Sequence, residues 1–160
     1  MGLVRIDDRL IHGQVIAVWC KHRRFTRILV VDDEAAADPF MQEVLSLAAP
    51  PGLRVDTLAL EEGIGELSHD TPDRGTTMVL VKSPQAAQQL YDGGVKYSAL
   101  NVGGIGSAPG RKNIFKNIAL SEEERASLDY LANEGVEITL LTVPGEKSKP
   151  FSELRSTKAK

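Results

Sequence analysis

The sequence predicts an α/β fold: one domain with an open, mostly parallel sheet of about six to seven strands and helices on both faces. Short apolar runs alternate with helical patterns along all 160 residues. Some runs, such as "RILVVDD", are almost continuously apolar and β-branched, which is typical of parallel strands covered on both faces. No internal repeat or long linker divides the chain, so residues 1–160 are expected to share one core.

The first third of the chain predicts three strands separated by two helices. Residues 2–6 are a short strand, and residues 13–22 suit a helix with one apolar face. Residues 27–33 are the second strand. The helix at 39–50 stops at Pro-Pro-Gly because proline cannot continue a helix, and residues 53–60 are the third strand.

The middle of the chain predicts two further helices and two further strands. A weak helix at 61–69, diluted by glycine, leads to a clear fourth strand at 76–82. Ser83 is typical of an N-cap followed by proline at the first helical position, and a pair of glycines ends that helix. Residues 97–104 then predict a fifth strand that enters a glycine-rich loop.

The last third predicts two strands around a strongly capped helix. Residues 112–120 are interpreted as a sixth strand, which can run antiparallel to the others. Ser121 and the three glutamates after it form a capping-box pattern, opening a helix that runs to Gly135. Residues 136–143 are the last strand, and the basic segment at about 146–160 is expected to be a flexible, solvated tail.

Composition excludes several classes of protein. A net charge of −3, without a concentrated basic surface, argues against a nucleic-acid partner. The single cysteine, Cys20, cannot form an internal disulfide, which fits a reducing compartment. No apolar run approaches the ~18 residues that span a bilayer, and no signal peptide is visible. We therefore expect a cytoplasmic protein, able to lie at the inner face of the membrane through its partners.

The loop "DDRLIHGQ" places a histidine where a strand gives way to a helix. Parallel strands bring their carboxyl ends to one edge of the sheet, where ligands bind. His12 directly precedes the predicted helix, whose first amides are unpaired and attract phosphate. Gly13 allows a close approach of the backbone, and Arg9 carries a planar fork that can hold two phosphoryl oxygens. These features would suit a phosphohistidine site.

A neutral imidazole is a nucleophile, and Asp7 or Asp8 could orient the ring through its other nitrogen. The same residues also allow a purely structural interpretation. However, a loop histidine is more often a capping or solvated residue, and Arg9 could simply pair with an aspartate at the surface. His22 is interpreted as structural and His69 as an exposed loop residue, and the histidine spacing predicts no metal site.

The segment "RIDDRLIHGQVIAVW" closely resembles the IIB component of the mannose/fructose/sorbose family of the bacterial sugar phosphotransferase system (PTS). The resemblance extends through "VVDDEAAADPFMQEVLSLAAPPG", "VLVKSPQAAQQLYDGG", "LNVGG" and "LSEEERASLDYLANEGVEI". It implies that His12 accepts a phosphoryl group, at Nδ1, from a phosphohistidine on the IIA component. His12 then passes the group to a sugar carried through the membrane by IIC and IID. The resemblance also implies that Arg9 steadies this group and that no metal or organic cofactor takes part.

Four further residues are predicted on physical grounds alone. Asp8 joins His12 and Arg9 as a candidate catalytic residue, and Gly13, Gln14 and Ser83 are candidate contacts of the loop or the phosphoryl group. The segment "IGSAPGRKN" and the basic tail depart from the family's usual pattern. Both regions could touch partners, so they leave the sugar and transport itself open, and the sequence does not identify the cognate IIA or the oligomeric state.

Three alternatives remain at this point. The chain could be a regulatory phosphoryl relay without transport, or a docking protein that keeps only the fold. It could also resemble a receiver domain that forms an aspartyl phosphate, with Asp56 as acceptor, Asp7 and Asp8 as the acidic pair and Lys82 at the edge. Asp56 lies inside a predicted strand rather than at its end, which weighs against the receiver interpretation.

Overall fold

The computed structural model describes residues 2–68 and 76–158, with side chains through residue 154. Strands and helices alternate over most of the chain, as the apolar patterning predicts. The strands are β1 Leu3–Ile6, β2 Arg27–Val31, β3 Arg54–Leu58, β4 Thr77–Val81, β5 Ala99–Val102, β6 Lys112–Phe115, β7 Ile118–Leu120, β8 Glu137–Leu140 and β9 Lys149–Pro150. The helices are α1 Gly13–His22, α2 Asp33–Ala36, α3 Pro39–Ala48, α4 Leu60–Leu67, α5 Pro84–Asp92, α6 Glu122–Asn133 and α7 Phe151–Lys158.

Seven strands form one sheet in the order β3-β2-β4-β1-β5-β8-β9. All neighbours are parallel except β8 and β9, so the predicted open, mostly parallel α/β sheet is confirmed. β1 lies between β4 and β5, with Ile6 level with Val81 on one side and Val102 on the other. The loop that follows β1 therefore emerges near the middle of the sheet.

The sheet separates two apolar clusters. One contains Leu90 of α5 and Leu128 of α6, and the other contains Ile16 and Trp19 of α1 with Leu45 of α3. Helices therefore cover both faces, and α1 and α5 pack on opposite ones. β1 and β4 are neighbours whose connections leave toward different faces, which is the topological position where open α/β sheets bind ligands.

The prediction for residues 112–120 is wrong in its architecture. These residues form an antiparallel hairpin of β6 and β7 outside the main sheet, joined to it by a bridge between Ile105 and Ile118. The turn falls at Lys116, which has φ of 46°, an uncommon value for a residue with a side chain. The apolar alternation predicted extended backbone correctly but did not reveal this reversal.

The structure also differs from the expected flexible tail. Lys149 and Pro150 pair antiparallel with β8, and α7 follows directly. Phe151 is 1% exposed and belongs to the cluster that also contains α5 and α6. Burial of one large aromatic side chain anchors this segment, a contribution that its basic composition conceals. None of the helices in the described part of the chain is long and apolar enough to cross a membrane.

Candidate functional site

His12 lies at the amino end of α1, as the sequence predicts. Its backbone is extended (φ −115°, ψ 112°), and the first hydrogen bond of the helix runs from Ile16 N to the His12 carbonyl oxygen at 3.0 Å. The amides of Gly13, Gln14 and Val15 therefore have no partner within α1. These amides and the helix dipole make the end of α1 favourable for an anion.

The imidazole of His12 is partly buried. Its Nδ1 is covered and has no hydrogen-bond partner among the described residues. The expectation that Asp7 or Asp8 orients the ring concerns its other nitrogen, which is Nε2 when Nδ1 carries the phosphoryl group, and it stays a prediction. Both carboxylates have other partners, which fix the loop.

Asp7 shapes the loop from within. It is 1% exposed, its carbonyl oxygen accepts a hydrogen bond from Leu10 N at 2.9 Å, and its Oδ1 accepts one from Arg9 N at 3.0 Å. Leu10 has φ of 58°, in the left-handed region that side chains disfavour, yet its side chain is only 5% exposed. The buried side chain and the turn at Asp7 hold this unfavourable conformation, so the loop is pre-formed.

Beneath the loop lies a buried arginine. Arg5 is 0% exposed and pairs with Asp7 Oδ2 at 3.1 Å, while it also donates to the side chain of Asn101 and to the Leu141 carbonyl. Burial lowers the pKa of Arg5, and the charge of Asp7 opposes that fall. A Cβ on Gly103 would overlap the Arg5 guanidinium, so this glycine makes room for the pair.

Arg9 lies at the surface of the site. Its side chain is 48% exposed, and Nε lies 3.7 Å from Asp7 Oδ1, too far for a hydrogen bond. Its Nη2 lies above Gly104, 3.8 Å from the position that a Cβ would occupy there. Because this pairing is loose and solvated, the guanidinium fork remains available to an anionic group.

Asp8 anchors the glycine-rich loop. Its Oδ2 accepts a hydrogen bond from Gly106 N at 2.8 Å, and its own amide donates to the Gly104 carbonyl at 3.0 Å. Arg111 donates to the Gly106 carbonyl at 2.9 Å and holds Glu124 of α6 through two bonds of 3.0 and 2.8 Å. The "IGSAPGRKN" segment is thus tied both to the loop of His12 and to α6.

The remaining predicted site residues occupy the same edge. Gly13 is needed for packing, because a Cβ would lie 2.7 Å from the carbonyl oxygen of Ala48 at the end of α3. Gln14 is exposed in the first turn of α1. Ser83 is the N-cap of α5, and its Oγ accepts a hydrogen bond from Ala86 N at 3.2 Å. The predicted capping role of Ser83 is therefore confirmed.

The receiver interpretation finds no support in the geometry. Asp56 lies within β3, where its Oδ2 pairs with Arg27 and Arg54 at 2.8 Å each. Lys82 is exposed, with Nζ 3.9 Å from Glu34. In residues 2–68 and 76–158, no group of three histidine, cysteine or acidic side chains is placed to hold a metal ion. His22 is exposed at the end of α1, and His69 lies outside the described residues.

Comparison with known proteins places this chain in a family. A family model described as the PTS system sorbose subfamily IIB component matches residues 1–160, the entire chain. The chain belongs to this family. It is also 33% identical over 146 residues to the sorbose-specific EIIB component of Klebsiella pneumoniae, covering 91% of this chain and 89% of that protein.

Two further relatives support the IIB assignment. The chain is 32% identical over 156 residues to the mannose-specific EIIAB component of Escherichia coli (strain K12), covering 98% of this chain. It spans 48% of that protein's length. The crystal structure of manxB from Thermoanaerobacter tengcongensis superposes with a TM-score of 0.89 at 34% identity, covering 96% of this chain and 93% of that one.

Sequence reasoning missed the polar residues that support the IIB site from below and from the side. Arg5 and Asn101 each lie in a run that is otherwise apolar and buried, and such an interruption is the signal that could have revealed a buried polar pair. Arg111 gives no such signal, because a single arginine in a polar loop is usually solvated. Its role depends on a contact with Glu124, which is distant along the chain.

Proposed function

We propose that this IIB component carries phosphoryl groups on His12, from a phosphohistidine of a IIA component to a sugar translocated by membrane IIC and IID components. The observation that carries the proposal is the position of His12 at the start of α1, beside amides unpaired within the helix and three residues after the exposed fork of Arg9. Phosphoryl transfer needs chiefly positioning and stabilisation of charge, and this loop supplies both.

The step is an exchange between two imidazoles. A lone pair on a neutral ring nitrogen of His12 attacks phosphorus, and the nitrogen–phosphorus bond of the donor breaks, leaving its electron pair on the donor imidazole. The negative charge on the three equatorial oxygens can be met by the amides at the start of α1 and by Arg9. In the second half-reaction a sugar hydroxyl oxygen attacks phosphorus and gives its proton to solvent, while the nitrogen–phosphorus bond breaks and leaves its electron pair on the ring, so His12 returns to its neutral form.

The family resemblance assigns the phosphoryl group to Nδ1, which is covered in this structure. Transfer through Nδ1 therefore requires the ring to rotate about its side-chain bonds so that this nitrogen faces the donor. Since Nδ1 has no hydrogen-bond partner among the described residues, no such bond has to break for the rotation. Nitrogen-15 NMR of the phosphorylated protein identifies the modified nitrogen, and a signature of Nε2 phosphorylation would contradict this assignment.

The neighbouring residues take separate parts in the proposal. Arg9 grips phosphoryl oxygens, and the Gly13 and Gln14 amides donate to them. Asp8 acts through the glycine-rich loop rather than through the ring, since its carboxylate holds Gly106 N. Ser83 caps α5, whose first turn lies at the same edge of the sheet. Replacing Arg9 by lysine retains the charge but loses the fork, so we expect single-turnover transfer to slow by about tenfold.

Partners and location follow from the same proposal. The mannose-specific relative is named as a IIA and IIB component together, and this chain spans about half of it. We propose that a IIA component, on the same or a separate chain, supplies the phosphoryl group to this IIB component in the cytoplasm. Docking to IIC and IID would then bring His12 to the inner face of the membrane. The sugar is not specified by the site.

Mapping of phosphate by mass spectrometry tests the proposal directly. The protein is incubated with phosphoenolpyruvate, the general phosphotransferase proteins and a IIA component, and the modified residue is located. We expect label on His12, none in His12→Ala, and full label in the matched variant His22→Ala, with unchanged thermal unfolding in both. Undiminished labelling of His12→Ala would contradict the proposal.

The chemical stability of the label separates the remaining alternatives. A phosphohistidine is lost in acid and survives base, whereas an aspartyl phosphate is destroyed by base. Transfer from labelled protein to sugar is then measured with membranes that contain IIC and IID. Label that reaches His12 but no sugar, across a panel of sugars and membranes, would favour a regulatory relay without transport.

A further inference from the structure

We infer that the side-chain amide of Asn117 donates a hydrogen bond to the phosphoryl group carried by His12, and so acts with Arg9 as a second side-chain contact of that group. This inference rests on the proposed function and adds to it a residue from outside the first loop. Asn117 is the second residue of the two-residue turn between β6 and β7, more than a hundred positions along the chain from His12.

Two donors converge above Gly104. The Nδ2 of Asn117 lies 3.1 Å from the position that a Cβ on Gly104 would occupy, and Nη2 of Arg9 lies 3.8 Å from the same position. Both groups are hydrogen-bond donors only, and the missing side chain of Gly104 leaves space between them. A phosphoryl group gripped by Arg9 has three terminal oxygens, so it can also accept a bond from Asn117.

The amide of Asn117 is held in this orientation. Its Oδ1 accepts a hydrogen bond from the Thr142 hydroxyl at 3.1 Å, which directs Nδ2 away from Thr142 and toward Gly104. Its backbone carbonyl accepts a bond from Ile105 N at 3.2 Å. A donor that is already oriented needs little reorganisation when the charged phosphoryl group arrives, and pre-placed donors accelerate transfer in this way.

The hairpin turn fixes the backbone of Asn117 as well. Lys116 takes the left-handed conformation, and its carbonyl oxygen accepts a hydrogen bond from Asn113 Nδ2 at 2.6 Å. The carbonyl of Gly104 in turn accepts the amide of Asp8 at 3.0 Å, which connects this position to the loop that carries His12. The donor is therefore held over Gly104, where Arg9 Nη2 also lies, although Asn117 is exposed.

Variants at Asn117 test the inference in single-turnover transfer from phosphorylated IIA. We expect Asn117→Ala to slow phosphorylation of His12 by about tenfold, as the loss of one bond to a charged group would. Asn117→Asp places a negative charge beside Arg9 and is expected to slow it by about a hundredfold or more. The matched control Gln89→Glu makes the same chemical change at an exposed residue of α5 and should leave the rate unchanged.

Two further variants act on Asn117 without replacing it. Thr142→Val removes the hydroxyl that orients the amide and is expected to slow transfer less than Asn117→Ala does. Gly104→Ala places a methyl group 3.1 Å from Nδ2 and displaces the amide, so it should slow transfer about as much as Asn117→Ala does. Thermal unfolding of each variant shows whether the hairpin remains folded, and Thr142→Val keeps the test valid if Asn117→Ala unfolds it.

A double-mutant cycle with Arg9→Gln decides whether both side chains meet one group. If they do, the fold-decrease in the transfer rate of the double variant is smaller than the product of the two single fold-decreases. Transfer that is unchanged in Asn117→Ala and Asn117→Asp, while Arg9→Gln and His12→Ala lose it, overturns the inference and leaves the proposed function intact. Transfer that persists in His12→Ala overturns the proposed function itself.

Discussion

Arg5 shows how a single residue beneath the site constrains the loop above it. Its guanidinium has no solvent exposure, and Asp7, Asn101 and the Leu141 carbonyl surround it, with the Trp19 ring 5.4 Å from its central carbon. A buried charge of this kind is tolerated only while its partners remain. Because Asp7 also forms the turn that contains Arg9, loss of Arg5 is expected to affect both the core and the loop that carries His12.

Arg5→Met is expected to lower the free energy of unfolding by about 3–5 kcal/mol, because it leaves the carboxylate of Asp7 buried without its cation. Urea denaturation measures this value. The control is Arg24→Met, an exposed arginine whose replacement should change stability by less than about 0.5 kcal/mol. A loss below about 1 kcal/mol for Arg5→Met would show that the pair contributes little beyond packing.

At the scale of the element, two glycines in helices differ in whether the packing of the helix requires them. A Cβ on Gly13 would lie 2.7 Å from a backbone oxygen of α3, whereas a Cβ on Gly65 in α4 would meet nothing within 4 Å among the described residues. We expect Gly13→Ala to destabilise the protein by about 1–3 kcal/mol and to slow transfer, because α1 must move. Gly65→Ala should stabilise it by about 0.5–1 kcal/mol. Chemical denaturation measures both, and equal effects would contradict the close contact of α1 with α3.

The link between the glycine-rich loop and α6 has a defined pH dependence. Burial alone would raise the pKa of Glu124, but hydrogen bonds from Arg111 and from Ser121 lower it overall. A lowered pKa in the folded state adds stability that is present above the unfolded value of about 4.3 and is lost as the pH falls through the folded value.

Glu124→Gln is therefore expected to cost about 1–3 kcal/mol of unfolding free energy at pH 7. The difference from the unmodified protein should shrink as the pH falls below the unfolded value of about 4.3, and continue to shrink until the pH is below the lowered pKa of folded Glu124, where that carboxyl is neutral too. Denaturation curves at pH 7, 5 and 3 measure it, with the exposed Glu123→Gln as control. A gap that is constant over this range would show that Arg111 does not favour the charged carboxylate.

Local chemistry explains which elements could be predicted from the sequence. Ser83 and Ser121 are caps in the structure, as their side-chain chemistry predicts, and α1 begins at Gly13 as expected. The hairpin could not be predicted, because its turn depends on Lys116 in a conformation that lysine disfavours. A hydrogen bond from the Asn113 side chain helps to stabilise that turn, and no common turn motif in the sequence indicates the turn.

The site was predictable to the extent that it is local. His12, Gly13 and Arg9 lie within five residues, so helix chemistry and spacing indicate them. Asn117 and Arg111 reach the same edge only through the fold, since the hairpin follows β5 and returns toward the loop of β1. The strand order that brings them together depends on long-range pairing, which apolar periodicity does not reveal.

The C-terminal segment completes the molecule as a whole. Phe151 is 1% exposed within the cluster shared by α5 and α6, whereas Phe40 on α3 is 74% exposed. We expect Phe151→Ala to lower the free energy of unfolding by about 3 kcal/mol, and Phe40→Ala to change it by less than about 0.5 kcal/mol. Thermal and urea unfolding measure both. Equal, small effects would mean that the segment does not contribute to the core in solution.

Both outer strands of the sheet are poor templates for a further strand. β9 has two residues, and one of them is Pro150, which has no N–H to donate. At the opposite margin, β3 carries Arg54 and Asp56, and burying such charges against an incoming strand is unfavourable. Both margins of the sheet therefore disfavour edge-to-edge pairing between copies of this chain.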